Sequence, residues 1–139
     1  MIEYHFEFDF HLNQLANYTD WLTRVIENEN RSVGQLNYVF CSDEYLLQLN
    51  QEYLQHDTFT DIITFDYSEG DEVSGDIYIS VERVRDNAIE WREPFERELQ
   101  RVMVHGVLHM LGYKDKTKEE REEMRSLEED KINMFHVEQ

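Results

Sequence analysis

Val104-His105-Gly106-Val107-Leu108-His109-Met110-Leu111-Gly112-Tyr113-Lys114-Asp115 is the stretch on which the reading of this chain turns. Its apolar residues, with Leu99, Val102 and Met103 just upstream, recur at helical spacing, so the segment from about Phe95 to Leu111 reads as a buried helix. Pro94, the sole proline, stands where a helix starts, and Gly112 where one stops. His105 and His109 are four apart, project from one face of that helix and can share a metal ion. Gly112 lets the chain turn back, which brings Asp115 within reach of the same ion. Two imidazoles and a carboxylate suit zinc, one ion per chain, and leave a fourth position for water. The ion lowers the pKa of that water toward neutrality and yields a nucleophile. A histidine pair at this spacing equally describes two semi-buried side chains. The apolar helix around the pair favours ligation, because buried imidazoles need partners.

Working outward, residues 2–10 alternate as a strand with Ile2, Tyr4, Phe6, Phe8 and Phe10 on one side. Residues 12–29 read as a helix that buries Leu12, Leu15, Trp21, Leu22, Val25 and Ile26. A second strand spans 36–40. Ser42 caps a helix over 43–54, in which Tyr45, Leu46, Leu49 and Tyr53 recur at helical spacing. Strands at 61–67 and 76–81 flank the polar loop 68–72, which suits a hairpin. Residues 82–91 look helical. Thr117 and Glu120 form a capping-box pair for a last helix reaching about Phe135, with Met124, Leu127, Ile132 and Phe135 facing the core. No repeat or Gly/Pro-rich linker divides residues 1–139, so a single metal-dependent hydrolase domain is expected. The expected fold class is α+β: a small mixed four-stranded sheet with about five helices, the metal site lying on a buried helix.

Composition narrows the setting. Apolar residues make up 40 % of the 139 positions, which excludes a disordered chain. The start lacks a basic segment and a long apolar run, so neither a signal peptide nor a membrane span is expected. Cys41 is alone, which fits a reducing cytoplasm. The net charge of −18 is unevenly spread. Residues 1–82 carry 17 acids against Arg24 and Arg31, whereas residues 83–131 carry 13 acids against 11 basic residues. A phosphate-binding surface therefore belongs in the second half. A solvated acidic surface that keeps the protein soluble is the plainer account of the charge.

In the protease motif H-E-x-x-H the glutamate beside the first histidine is the general base, and here Gly106 takes that place, which argues against a peptidase. The pattern H-G-x-L-H-x-x-G-Y over His105–Tyr113, followed by a short acidic turn, resembles the YbeY family of rRNA maturation factors. Upstream, Leu49-Asn50-Gln51-Glu52-Tyr53 and Asp57 to Phe65 are similar to that family's L-N-x-x-Y-R-x-K-D-x-P-T-D-V-L-S-F. Ser74-Gly75-Asp76-Ile77-Tyr78-Ile79-Ser80 is similar to its L-G-D-I-x-I-S. The resemblance covers nearly the whole chain. It implies a zinc-dependent, single-strand-specific endoribonuclease acting in 16S rRNA 3′-end maturation and ribosome quality control, with rRNA on a ribosomal particle as partner.

The chain departs from that family at informative places. The third zinc-binding histidine aligns with Asp115 and the aspartate before it with Lys114. The arginine thought to face RNA aligns with Leu54, the lysine two places on with His56, and the proline with Phe59. Leu54 offers no phosphate partner, which removes a planar, permanently charged one. Arg101, one turn before His105, is the expected substitute, and Lys114, Lys116 and His56 are further candidate substrate contacts. An ordinary surface role accounts for Arg101 equally well and is the plainer account of the other three. The expected catalytic and metal-binding set is His105, His109 and Asp115. Two other classes stay open: a non-catalytic ribosome-assembly module with a structural metal, and a non-haem iron oxygenase, which also uses two histidines and a carboxylate.

Overall fold

The structure, a computed structural model, describes residues 1–54 and 60–137. Along the chain run β1 (Ile2–Phe6), α1 (Leu15–Glu27), β2 (Ser32–Cys41), α2 (Asp43–Tyr53) and β3 (Ile62–Asp66). Then follow β4 (Glu72–Ser80), α3 (Val81–Glu90), α4 (Phe95–Met110) and α5 (Lys118–Val137). The strands form one sheet in the order β1-β2-β4-β3. β1, β2 and β4 are mutually parallel along the sheet, and β3 pairs antiparallel with β4 as the expected hairpin. This is the small α+β domain with a mixed sheet and five helices that the periodicities imply.

Several bounds differ from expectation for local reasons. β1 stops at Phe6 because its pairing partner, Phe40, lies one residue from the end of β2. The inward alternation nevertheless continues, and Phe10 packs on Phe40 with ring centroids 5.4 Å apart. α1 starts at Leu15 rather than residue 12 because Gln14 sits in the left-handed region at φ 61° and breaks the helical path. β2 and β4 begin earlier than expected, since Ser32 and Val33 pair with Glu72 and Val73 across a bulge at residues 34–35. Ser42 caps α2 as expected, and Thr117 and Glu120 bond reciprocally at the start of α5 at 2.9 and 3.1 Å.

α4 is the element that positions the site. Leu99, Met103, Val104, Val107 and Leu108 are fully buried, each worth about 1.5–3 kcal/mol as burial of this kind goes. Tyr38 of β2 donates its hydroxyl proton to the Met103 carbonyl at 2.8 Å and fixes the helix on the sheet. Gly106 faces the sheet so closely that a Cβ there would lie 3.0 Å from Ile77 Cδ1 and 3.1 Å from Ile62 Cδ1. That contact explains why no glutamate stands beside the first histidine: its side chain would have to enter the packed sheet. α5 crosses behind α4 and is tied to α1 through Trp21, whose Nε1 donates to the Lys131 carbonyl at 2.6 Å.

Candidate metal centre

His105 and His109 occupy successive turns of α4 and turn their rings toward each other, with centroids 4.5 Å apart. Helix α4 ends at Met110, and Gly112 follows at φ 105°, a conformation that side-chain-bearing residues rarely adopt. The chain therefore doubles back and carries Asp115 over the histidines. Asp115 Oδ2 lies 3.4 Å from His105 Nε2 and 3.2 Å from His109 Nε2. One ligand atom from each of the three residues lies within 4.8 Å of the others.

The remaining ring nitrogens are already occupied. Nδ1 of His105 faces Glu128 Oε2 at 2.6 Å, and Nδ1 of His109 faces the Tyr113 carbonyl oxygen at 3.0 Å. With Nδ1–H donated to these acceptors, both Nε2 lone pairs point at the space beside Asp115, the arrangement in which metal-ligating histidines are usually held. Tyr113 is itself anchored, since its hydroxyl donates to Glu29 Oε1 at 2.5 Å. A tetrahedral ion at Zn–N and Zn–O distances of about 2.0–2.1 Å needs ligand atoms roughly 3.3 Å apart. The two separations from Asp115 meet that requirement and the remaining pair lies within 4.8 Å, so the donor set could hold a small divalent ion.

The electrostatics favour a cation. Burial alone pulls the His105 imidazolium pKa down, but the hydrogen bond and charge of Glu128, with Asp115 and Asp61, outweigh it and raise the value overall. Burial raises Asp61, which lines the same cleft, above the ordinary carboxylate range, against the opposing pull of His105. The cleft has a volume of about 790 Å³ and runs from the histidines past Asp115 and Lys116 to Leu54.

The candidate RNA contacts divide. Lys116 is exposed and lines the cleft. Lys114 is exposed but does not line it. His56 lies outside the described residues. The reading of Arg101 as an RNA contact is corrected. Its side chain is 5 % exposed, with Nη2 2.6 Å from Glu129 Oε1, Nη1 3.5 Å from Glu128 Oε1 and Nε 3.4 Å from Glu98 Oε1. A guanidinium held by three glutamates is committed to those carboxylates, although it lines a smaller cleft beside the histidines.

A family model described as "Endoribonuclease YbeY" matches residues 5–136. The chain belongs to the YbeY family. An "Endoribonuclease YbeY" of Flavobacterium psychrophilum is 55 % identical over 139 residues, covering 100 % of this chain and 99 % of the relative. Its namesake in Flavobacterium johnsoniae is also 55 % identical over 139 residues, covering 100 % of both. The solution structure of TM1509 from Thermotoga maritima superposes with a TM-score of 0.73 at 29 % identity, covering 99 % of this chain and 91 % of that one. No helix among the described residues is long and apolar enough to cross a membrane.

Glu128 is the site residue that sequence reasoning missed, and a signal was present. It falls four residues after Met124 and four before Ile132, on the core-facing stripe of α5, where an unpaired carboxylate would be costly. Asp61 and the Tyr113 carbonyl left no such mark, because their approach to α4 depends on the β3 edge and on the turn at Gly112.

Proposed function

We propose that this chain is a zinc-dependent endoribonuclease that cuts single-stranded RNA, acting in 16S rRNA 3′-end maturation and ribosome quality control in the cytoplasm. The observation that carries the proposal is the convergence of His105 Nε2, His109 Nε2 and Asp115 Oδ2 at one end of an open cleft. These three residues would hold the ion, which supplies Lewis-acid activation of water and stabilisation of the charge developing on phosphate. The protein's own part is to keep that set in place. Glu128 and the Tyr113 carbonyl fix both imidazoles in the tautomer that leaves Nε2 free, and Gly112 sets the reach of Asp115. Asp61, half-buried and lining the same cleft, would hold a proton beside the reacting phosphate. Lys116 is the exposed cation of this cleft and would bind a flanking phosphate.

A second reading, a ribosome-assembly module with a structural metal, is favoured by Leu54, which lines the cleft where the family's arginine would stand. One experiment separates the readings. Metal content of the purified protein is measured, and cleavage of single-stranded and duplex RNA is followed with and without chelator. About one zinc per chain and chelator-sensitive cleavage of the single strand alone support the nuclease. Bound metal without cleavage supports the module, and bound iron instead of zinc reopens the oxygenase.

A further inference from the structure

His105 and Asp115, with Asp61 and Ile62, also line a second, smaller cleft of about 280 Å³. Trp91 and Arg125 are its exposed lining residues, and Asp61, Glu98, Glu128 and the ion-paired Arg101 line it further in. Trp91 ends α3, and Arg92 follows in the left-handed region at φ 56°, so the α3–α4 turn presents the indole at the rim. It is 48 % exposed, whereas Trp21, the other tryptophan, is fully buried. The Arg125 guanidinium sits over the Trp91 ring, 5.6 Å from its centroid. Arg125 forms no ion pair among the described residues, in contrast to Arg97 and Arg101 on the neighbouring helix.

The geometry points to a nucleotide-binding subsite in this second cleft, in which Trp91 stacks one base and Arg125 holds the phosphate beside it. This deepens the endoribonuclease reading and rests on it. An exposed indole next to a free guanidinium is the pairing by which single strands are held without regard to sequence. The inner carboxylates outnumber Arg101, with which Glu98 and Glu128 are paired, and so disfavour a phosphate there. So the base points inward and the phosphate stays at the rim with Arg125. A strand bound this way crosses the metal centre between two cations, Lys116 in one cleft and Arg125 in the other. That places one phosphodiester at the ion.

The test uses metal-loaded protein and a short 2′-O-methyl oligoribonucleotide, which reports binding apart from cleavage. Stacking of a base should quench the fluorescence of the exposed Trp91 and leave that of buried Trp21. Trp91→Ala and Arg125→Gln should each weaken binding of the labelled oligonucleotide, measured by polarisation, by about tenfold, and Trp91→Phe should recover most of the loss. In the cleavage assay KM should rise by a similar factor, with kcat and metal content unchanged. Quenching and loss of affinity in a protein that cuts no RNA would sink the endoribonuclease reading and leave the subsite standing. Cleavage with KM indifferent to all three variants, or no quenching at saturating oligonucleotide, would overturn the subsite.

Discussion

In the proposed metal centre Glu128 would set how tightly the ion is held, and the size of its effect follows from the structure. Its Oε2 accepts from His105 Nδ1 at 2.6 Å, and the residue is 5 % exposed. A hydrogen bond to a buried ionised group contributes about 1.5–3 kcal/mol, and each 1.4 kcal/mol is a factor of ten. Removing the charge but keeping an acceptor, as in Glu128→Gln, should therefore weaken metal binding by about tenfold. Glu128→Ala should approach a hundredfold, the upper end of what partners of metal ligands cost when lost. Alanine also withdraws one of three carboxylates around Arg101, so a loss of stability of about 3 kcal/mol accompanies it. Glutamine separates the two effects, because it fills the same space. The assay is competition for zinc against a chromophoric chelator at fixed pH, with thermal unfolding of the metal-free proteins alongside. If Glu128→Gln binds zinc as tightly as the parent, the carboxylate does not orient His105 and the reasoning fails.

Other expectations follow from the same geometry. His109→Ala should abolish stoichiometric metal binding and Asp115→Ala should remove most of it, read by metal analysis after gel filtration; full occupancy in both would show that the ion sits elsewhere. Burial holds the Glu98 carboxyl at about 7, above its ordinary 4.5, so its contribution favours folding below about pH 4.5 and is lost as pH rises through about 7. Urea unfolding of metal-free Glu98→Gln should accordingly lose less stability between pH 5 and 8 than the parent, by up to about 3 kcal/mol, and parallel pH profiles would refute this. Affinity for single-stranded RNA should fall with salt at a logarithmic slope of about 1.4 or less, two contacts' worth, with Lys116→Ala lowering it by about 0.7 and Lys114→Ala leaving it unchanged. A steep slope would point to a basic surface elsewhere.

The fold was largely legible because its signals are local. Alternation in residues 2–10, the Ser42 and Thr117 caps and the stop at Gly112 each rest on neighbours a few residues apart. Bounds slipped where a distant partner decides them, as at Phe6, whose ladder ends with β2, and at Ser32, which pairs across the sheet with Glu72. The candidate metal-binding group was legible for the same reason as the helix, since His105, His109 and Asp115 lie within eleven residues of one another. Glu128 enters from α5, and only its place on an apolar stripe betrayed it.

Arg101 shows where reading by helix face runs out. Its spacing from His105 puts both residues on one side of α4, and that much holds. What spacing could not supply is which element covers that side. α5 lays Glu128 and Glu129 across it, and the guanidinium serves to neutralise them rather than to meet RNA. The consequence reaches the substrate. With Leu54 in one cleft and Arg101 ion-paired, the exposed cations lining the two clefts among the described residues are Lys116 in one and Arg125 in the other. A chain carrying −18 repels a polyanion at long range, and two point contacts cannot offset that for RNA free in solution. The local arrangement is well suited to a strand already brought to it. Cleavage should therefore be slow on a free oligonucleotide and faster by at least an order of magnitude on the same sequence held in a ribosomal particle, at equal RNA concentration. Equal rates on the two substrates would mean that the chain captures RNA by itself, through a surface other than these two clefts.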